Sequence, residues 1–194
     1  MKLRGESGFT MMEVVVSLAV FSLAITGFAS MLVDNAKLNK SQQMAITAQA
    51  DARNCVSIIE QVLRTAGWNP KNAGFPGVVL QSPATASNNW IEILADLDED
   101  SDTTGAGEDV TIRKNGTNLE WKTSTGGSYA TLSPNITNDA DGDGTPELMF
   151  TPNSTTNPTR VTVKITARSA APDPRTGKYI RATVSTDIVL RGRL

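Results

Sequence analysis

GFTMMEVVVSLAVFSLAITGFASMLV, residues 8–33, is apolar along its length except for one acid, Glu13. No charged residue falls between Val14 and Val33. Those positions, about twenty, form a helix about 30 Å long, which is the thickness of a bilayer's hydrocarbon. A carboxylate just inside such a segment is costly in lipid, so Glu13 is read as a functional position. Lys2 and Arg4 precede the run and predict that residues 1–8 are cytoplasmic.

Gly8-Phe9-Thr10, an acid at the fifth position counted from Phe9, and the uninterrupted apolar run together resemble the class III signal peptide of type IV pilins and type II secretion pseudopilins. The resemblance implies that a prepilin peptidase cuts after Gly8 and N-methylates Phe9. It also implies that Glu13 pairs with the amine of an adjacent subunit's first residue during assembly. Two opposite charges tolerate an apolar surrounding far better together than apart. An ordinary secretory signal has a shorter apolar core with its cleavage site after it; here the site precedes the run, which stays with the mature chain. The plainer alternatives are a signal anchor and, for Glu13, an acid at headgroup level.

Length allows one domain plus an extended element, or two small domains. The 194 residues carry a formal net charge of −2, no histidine and one cysteine, Cys55. Without histidine most hydrolase triads and zinc sites are excluded, and no residue set supports catalysis. A single cysteine forms no internal disulfide.

Ala45, Ala48, Ala52, Cys55, Ile59, Val62 and Ala66 recur at spacings of three and four, one apolar stripe of a helix. Gly67 is a C-terminal stop and Pro70 opposes continuation. The expectation is one helix of about sixty residues, about 85–90 Å long. Residues 9–33 are its transmembrane and filament-core part, and 34–67 its amphipathic half. Gly27 lies in the first part, where a missing Cβ lets a helix bend or melt locally. From 68 to 194 the chain is rich in turn formers and short β-prone runs: 78–80, 90–94, 110–114 and 117–121 around Asn115-Gly116, and 147–150. Asn-Gly between two such runs predicts a hairpin. Val161, Val163, Ile165 and Ala167 share one face of a strand, as do Ile180, Ala182, Val184, Thr186, Ile188 and Leu190. The turn-rich link SAAPDPRTG predicts that these two strands pair antiparallel. The fold class is α+β: a long N-terminal helix packed against an antiparallel sheet.

Leu63-Arg64-Thr65-Ala66-Gly67-Trp68, the stretch DLDEDSDTTGAGEDVTI and the C-terminal RVTVKITARSAAPDPRTGKYIRATVSTDIVLRGRL resemble PilW-type minor pilins. The type II secretion minor pseudopilin of the J type shares that architecture.

Two acidic stretches suggest calcium. Asp139, Asp141 and Asp143 alternate, Gly144 follows and Glu147 stands at position nine, the spacing of a calcium loop. It departs from an EF-hand because Phe150 occupies position twelve. Asp96, Asp98, Asp100 and Asp102 also alternate, with Glu108 or Asp109 as the closing acid. Residues 96–109 hold seven acids and no base, so the loop repels itself without a cation. A solvated acidic loop is the alternative at both places. Cys55 is expected to be a small core residue, and Trp68, Trp90 and Trp121 packing anchors. Arg168, Arg175, Lys178, Arg181, Arg191 and Arg193 form a solvated basic face; no nucleic-acid partner is expected.

The resemblance implies a prepilin held in the inner membrane and then packed into an extracellular filament as a minor subunit, priming or capping its assembly near the tip. The partners that the resemblance implies are other pilin subunits, the prepilin peptidase, the inner-membrane assembly platform and, before assembly, membrane lipid. A type II secretion pseudopilin, a major pilin and a membrane-anchored calcium-dependent adhesin are the alternatives.

Overall fold

The computed structural model describes residues 8–80, 90–155 and 158–190. Residues 1–7, with Lys2 and Arg4 of the expected leader 1–8, and the basic residues Arg191 and Arg193 lie outside them.

Helix α1 runs unbroken from Met11 to Thr65. Its 55 residues, at about 1.5 Å of rise each, make a rod about 82 Å long. It passes through Gly27 without interruption. Gly67 ends it with φ +75°, the left-handed conformation that a glycine adopts without penalty. The Ala66 N–H bonds the Leu63 carbonyl and the Trp68 N–H the Thr65 carbonyl, capping the last turn.

The rod has two regimes. Every residue from 8 through 40 is exposed, and burial starts at Ser41. The stripe beyond it is Ala48, Ala52, Cys55, Val56, Ile59, Leu63 and Ala66. Val62, placed on the stripe by its spacing, is only partly buried, and Leu63 and Val56 take the central positions. A period of about 3.6 residues drifts relative to strict three–four spacing, and the partner surface decides which neighbour points inward.

Eight strands follow: β1 Val78–Leu80, β2 Trp90–Leu94, β3 Asp109–Asn115, β4 Asn118–Lys122, β5 Ala130–Ser133, β6 Phe150–Pro152, β7 Arg160–Arg168 and β8 Arg181–Val189. Strands β1 to β5 form one antiparallel sheet in chain order, and β6-β7-β8 a second. The expected single sheet is therefore two. The β3–β4 hairpin pairs Asn115 with Asn118, so its turn residues are Gly116 and Thr117 rather than Asn115-Gly116. Only Gly116 has positive φ, +58°. The strand expected at 147–150 begins at Phe150, and β5 had no expectation at all.

Helix α1 lies mainly across β7 and β8, and touches β2 and β5. Val161, Val163, Ile165 and Ala167 are fully buried on the β7 face, while the other face carries half-buried Thr162 and Lys164 in polar contacts and Thr166, which is itself buried and bonds Thr183. That alternation is expected of an antiparallel sheet with one covered face. In the larger sheet Ile91 pairs with Ile112 and Ile93 with Val110, and both pairs join the same core as α1. The segment 135–138 ties the sheets together: Ile136 N–H bonds the Thr117 carbonyl at 2.8 Å, and Arg168 N–H the Asn135 carbonyl at 2.9 Å.

Candidate functional site

Gly8 and Phe9 precede the helix, and Phe9 is 80% exposed. Thr10 is the N-cap residue, with Oγ1 accepting from the Glu13 N–H at 3.3 Å. Its carbonyl accepts from Glu13 and Val14. Glu13 thus stands in the first turn, near the positive pole of the helix, where a carboxylate is favoured. Thr10-x-x-Glu13 is also the spacing of a capping box, a signal that the reading of Glu13 as a partner for an amine passed over. Gly8, Phe9 and Glu13 lie at the N-terminal end of a rod whose apolar side chains, Val14 through Val33, are exposed. The helix is long and apolar enough to cross a membrane.

Far from that end, the loop after β2 starts where α1 stops. The Gly67 N–H bonds the Leu94 carbonyl at 2.9 Å and the Asp96 N–H bonds the Trp68 carbonyl at 2.8 Å. Asp96 is fully buried, and its Oδ2 accepts from the Ser101 N–H at 3.1 Å. Its Oδ1 is buried without a hydrogen-bond partner. Glu108, 1% exposed, clasps the loop: Oε1 accepts from the Leu97 and Asp98 N–H groups and Oε2 from that of Gly105. A Cβ on Gly105 would come within 2.4 Å of Oε2. The Asp98 N–H, followed by those of Leu97 and Gly105, holds the Glu108 carboxyl below its ordinary value against the opposing effect of burial. Loss of hydration, then the charges of Asp100 and Glu108, pushes the Asp98 carboxyl up. Oxygens of Asp96, Asp98 and Asp100 lie within 4.8 Å of one another, as do those of Asp100, Asp102 and Glu108. The Asp102 carboxylate accepts from the Thr104 N–H at 2.7 Å and from the Thr104 hydroxyl at 2.9 Å. Asp109 faces elsewhere, accepting from Thr125 at 2.9 Å and pairing with Lys122 at 3.4 Å. Of the two closing acids, the loop holds Glu108.

The second acidic loop gathers Asp139, Asp141 and Asp143 but not Glu147. The Glu147 carboxylate pairs with Lys164 on β7. Asp139 accepts from the Gly142 N–H at 2.7 Å and the Gly144 N–H at 3.3 Å, and Arg181 stands 3.5 Å from its Oδ2. Burial alone would raise the Asp139 carboxyl; the two amides and the Arg181 charge outweigh it and hold it below its ordinary value. Asn138, absent from the sequence reading, closes this loop. Its carbonyl accepts from the Glu147 N–H at 2.5 Å, its Nδ2 donates to the Glu147 carbonyl at 2.8 Å, and its Oδ1 accepts from the Thr166 N–H at 3.1 Å.

Cys55 is a buried free thiol in the core, raised in pKa by that burial. Of the three tryptophans, Trp121 packs against the core formed by the described residues. Trp68 is half exposed, and Trp90 lines a polar groove on the outer face of the five-stranded sheet with Glu92, Thr111, Arg113, Lys122 and Tyr129. The basic residues are partly engaged: Arg168 stacks on Tyr179 at 4.5 Å, and Arg181 faces Asp139.

A long, apolar, N-terminal helix carried by an antiparallel β domain is the pilin-like α+β architecture. The family model described as the prokaryotic N-terminal methylation motif matches residues 3–29. The chain thus carries a type IV pilin-like signal at the start of its exposed helix. No curated protein and no solved structure matches it.

Proposed function

We propose that this chain is a PilW-type minor subunit of a type IV pilus, cleaved after Gly8 and packed by residues 9–33 among the helices of its neighbours near the filament tip. The observation that carries the reading is the bare rod: residues 8–40 are all exposed beneath the methylation motif at residues 3–29. The apolar part of that rod, Val14 to Val33, is not left in water, so lipid and then neighbouring subunit helices cover it in turn. The prepilin peptidase frees the Phe9 amine, and Glu13 receives it from the adjacent subunit. The assembly platform in the inner membrane draws the subunit from the bilayer. A domain of this bulk is easier to place at a filament end than at every step of a tightly packed shaft, which favours the minor role. The role is structural, not catalytic.

The test is mass spectrometry of sheared, purified filaments, with this chain quantified against the most abundant pilin, together with filament counts in a deletion strain. A trace amount, with few or no pili in the deletion, is the expected result. Dominance in the fibre would make it the major pilin. Absence from the fibre with normal pili would favour a type II secretion pseudopilin or an anchored adhesin. The mature N-terminus separates those two, because an anchored adhesin keeps residues 1–8.

A further inference from the structure

We propose that the loop from Asp96 to Glu108 is a calcium site whose side-chain ligands are the carboxylates of Asp96, Asp98 and Asp100. This inference stands apart from the filament reading and does not need it. Its basis is a buried, unmet acceptor. Asp96 is 0% exposed, and its Oδ1 has no hydrogen-bond partner. A buried acceptor left unpaired is costly, more so when charged. Among the described residues no lysine or arginine forms an ion pair with any acid from 96 to 108.

The geometry accepts an ion. One carboxylate oxygen each from Asp96, Asp98 and Asp100 lies within 4.8 Å of the others. Oxygens about 2.4 Å from a shared calcium stand at most about 4.8 Å apart. Glu108 positions the loop rather than serving as a principal ligand, since it already accepts from three amides. The Trp68 carbonyl that receives the Asp96 N–H is just past the end of α1, at the negative pole of a long helix, where a cation is favoured. Hard oxygen donors, without a histidine anywhere in the chain, select calcium or magnesium over softer metals. Asp98 and Asp100 are exposed, and such adaptable carboxylates suit calcium better than rigidly octahedral magnesium. The Asp139 loop differs because the protein supplies its cation, Arg181, and diverts Glu147 to Lys164.

The experiment uses the full-length chain in detergent micelles, stripped with a chelator and titrated with calcium by calorimetry and by thermal unfolding. Wild type should bind a single equivalent and unfold at a higher temperature. Asp98→Asn/Asp100→Asn should bind at least about tenfold more weakly, while Asp141→Asn/Asp143→Asn should match wild type. In chelator the first variant should unfold no lower than wild type, because it removes charges from a self-repelling loop. No heat and no shift at about 10 mM calcium, undiminished binding by the first variant, or loss of binding in the second would each overturn the site. An equal response to magnesium would overturn its assignment to calcium, and a lower unfolding temperature for the first variant in chelator would overturn the unmet charge on which the proposal rests.

Discussion

Glu13 illustrates how one residue would serve two physical roles under the proposed function. In the isolated chain it is a first-turn acid one turn beyond its N-cap, Thr10, where the helix dipole tolerates it. In a packed filament the same carboxylate would lie among apolar helices, and only a positive partner would make that burial acceptable. Glu13→Ala should therefore be made, inserted and cleaved like wild type, yet be recovered in filaments at a small fraction of the wild-type level. Breaking a buried pair costs about 3–5 kcal/mol. Normal recovery of the variant in sheared fibres would remove the pairing role. Asp173 is a second residue whose chemistry is readable. The Arg175 N–H, with the Thr176 and Ser41 hydroxyls, holds its carboxyl below the ordinary value of 3.8, against the effect of burial. A depressed folded value means that its contribution is complete above pH 3.8 and is lost as pH falls through the lower folded value. Asp173→Asn should lower stability at neutral pH and flatten the acid limb of the stability curve below that pH. An unchanged acid limb, followed by circular dichroism, would show that Asp173 does not link the turn to the helix.

Among the elements, α1 does the most structural work with its second half. Ile59 and Leu63 are fully buried against the sheets, and the stripe they belong to is the surface over which β7 and β8 close. Ile59→Ala should destabilise the domain by about 2–5 kcal/mol, the cost of a lost buried aliphatic side chain and its cavity. Denaturant unfolding of the full chain in detergent would measure it, and a loss below about 1 kcal/mol would mean that the core collapses around the vacancy. Substitutions at exposed apolar positions of the first half, such as Leu23 at 75% exposure, touch nothing in the isolated domain. On the proposed function, their cost would be felt in the membrane and in the filament.

At the scale of the whole molecule, a rod of residues 11–40, about 45 Å long, stands clear of the domain. The domain is fastened to the rod's far half and not to its tip. On the reading proposed above, insertion, cleavage and packing would act on one end, and a cation on the other. The filament measurement proposed above reads the first end and the calcium titration the second, so either outcome is interpretable without the other.

Much of this was legible in the sequence, for local reasons. The apolar run of 14–33, the stop at Gly67 and the alternation of β7 and β8 follow from periodicity, glycine's backbone freedom and burial on one face, all properties of neighbouring residues. The methylation motif is likewise contiguous. Other features needed the tertiary structure, because they join residues far apart in the chain. Val62 and Leu63 are adjacent, and only the packed sheet decides which is central. Either Glu108 or Asp109 satisfies the spacing, and β4, through Lys122, draws Asp109 away. Glu147 fits a calcium loop on paper until Lys164 on β7 claims it. Strand β5, Ala-Thr-Leu-Ser, has one large aliphatic residue and no β-branched run to announce itself, and it pairs with the edge that β4 offers. Local pattern determined the elements and the membrane-length helix; contacts across the fold decided which carboxylates face one another, because charge pairing depends on distance in space and not along the chain.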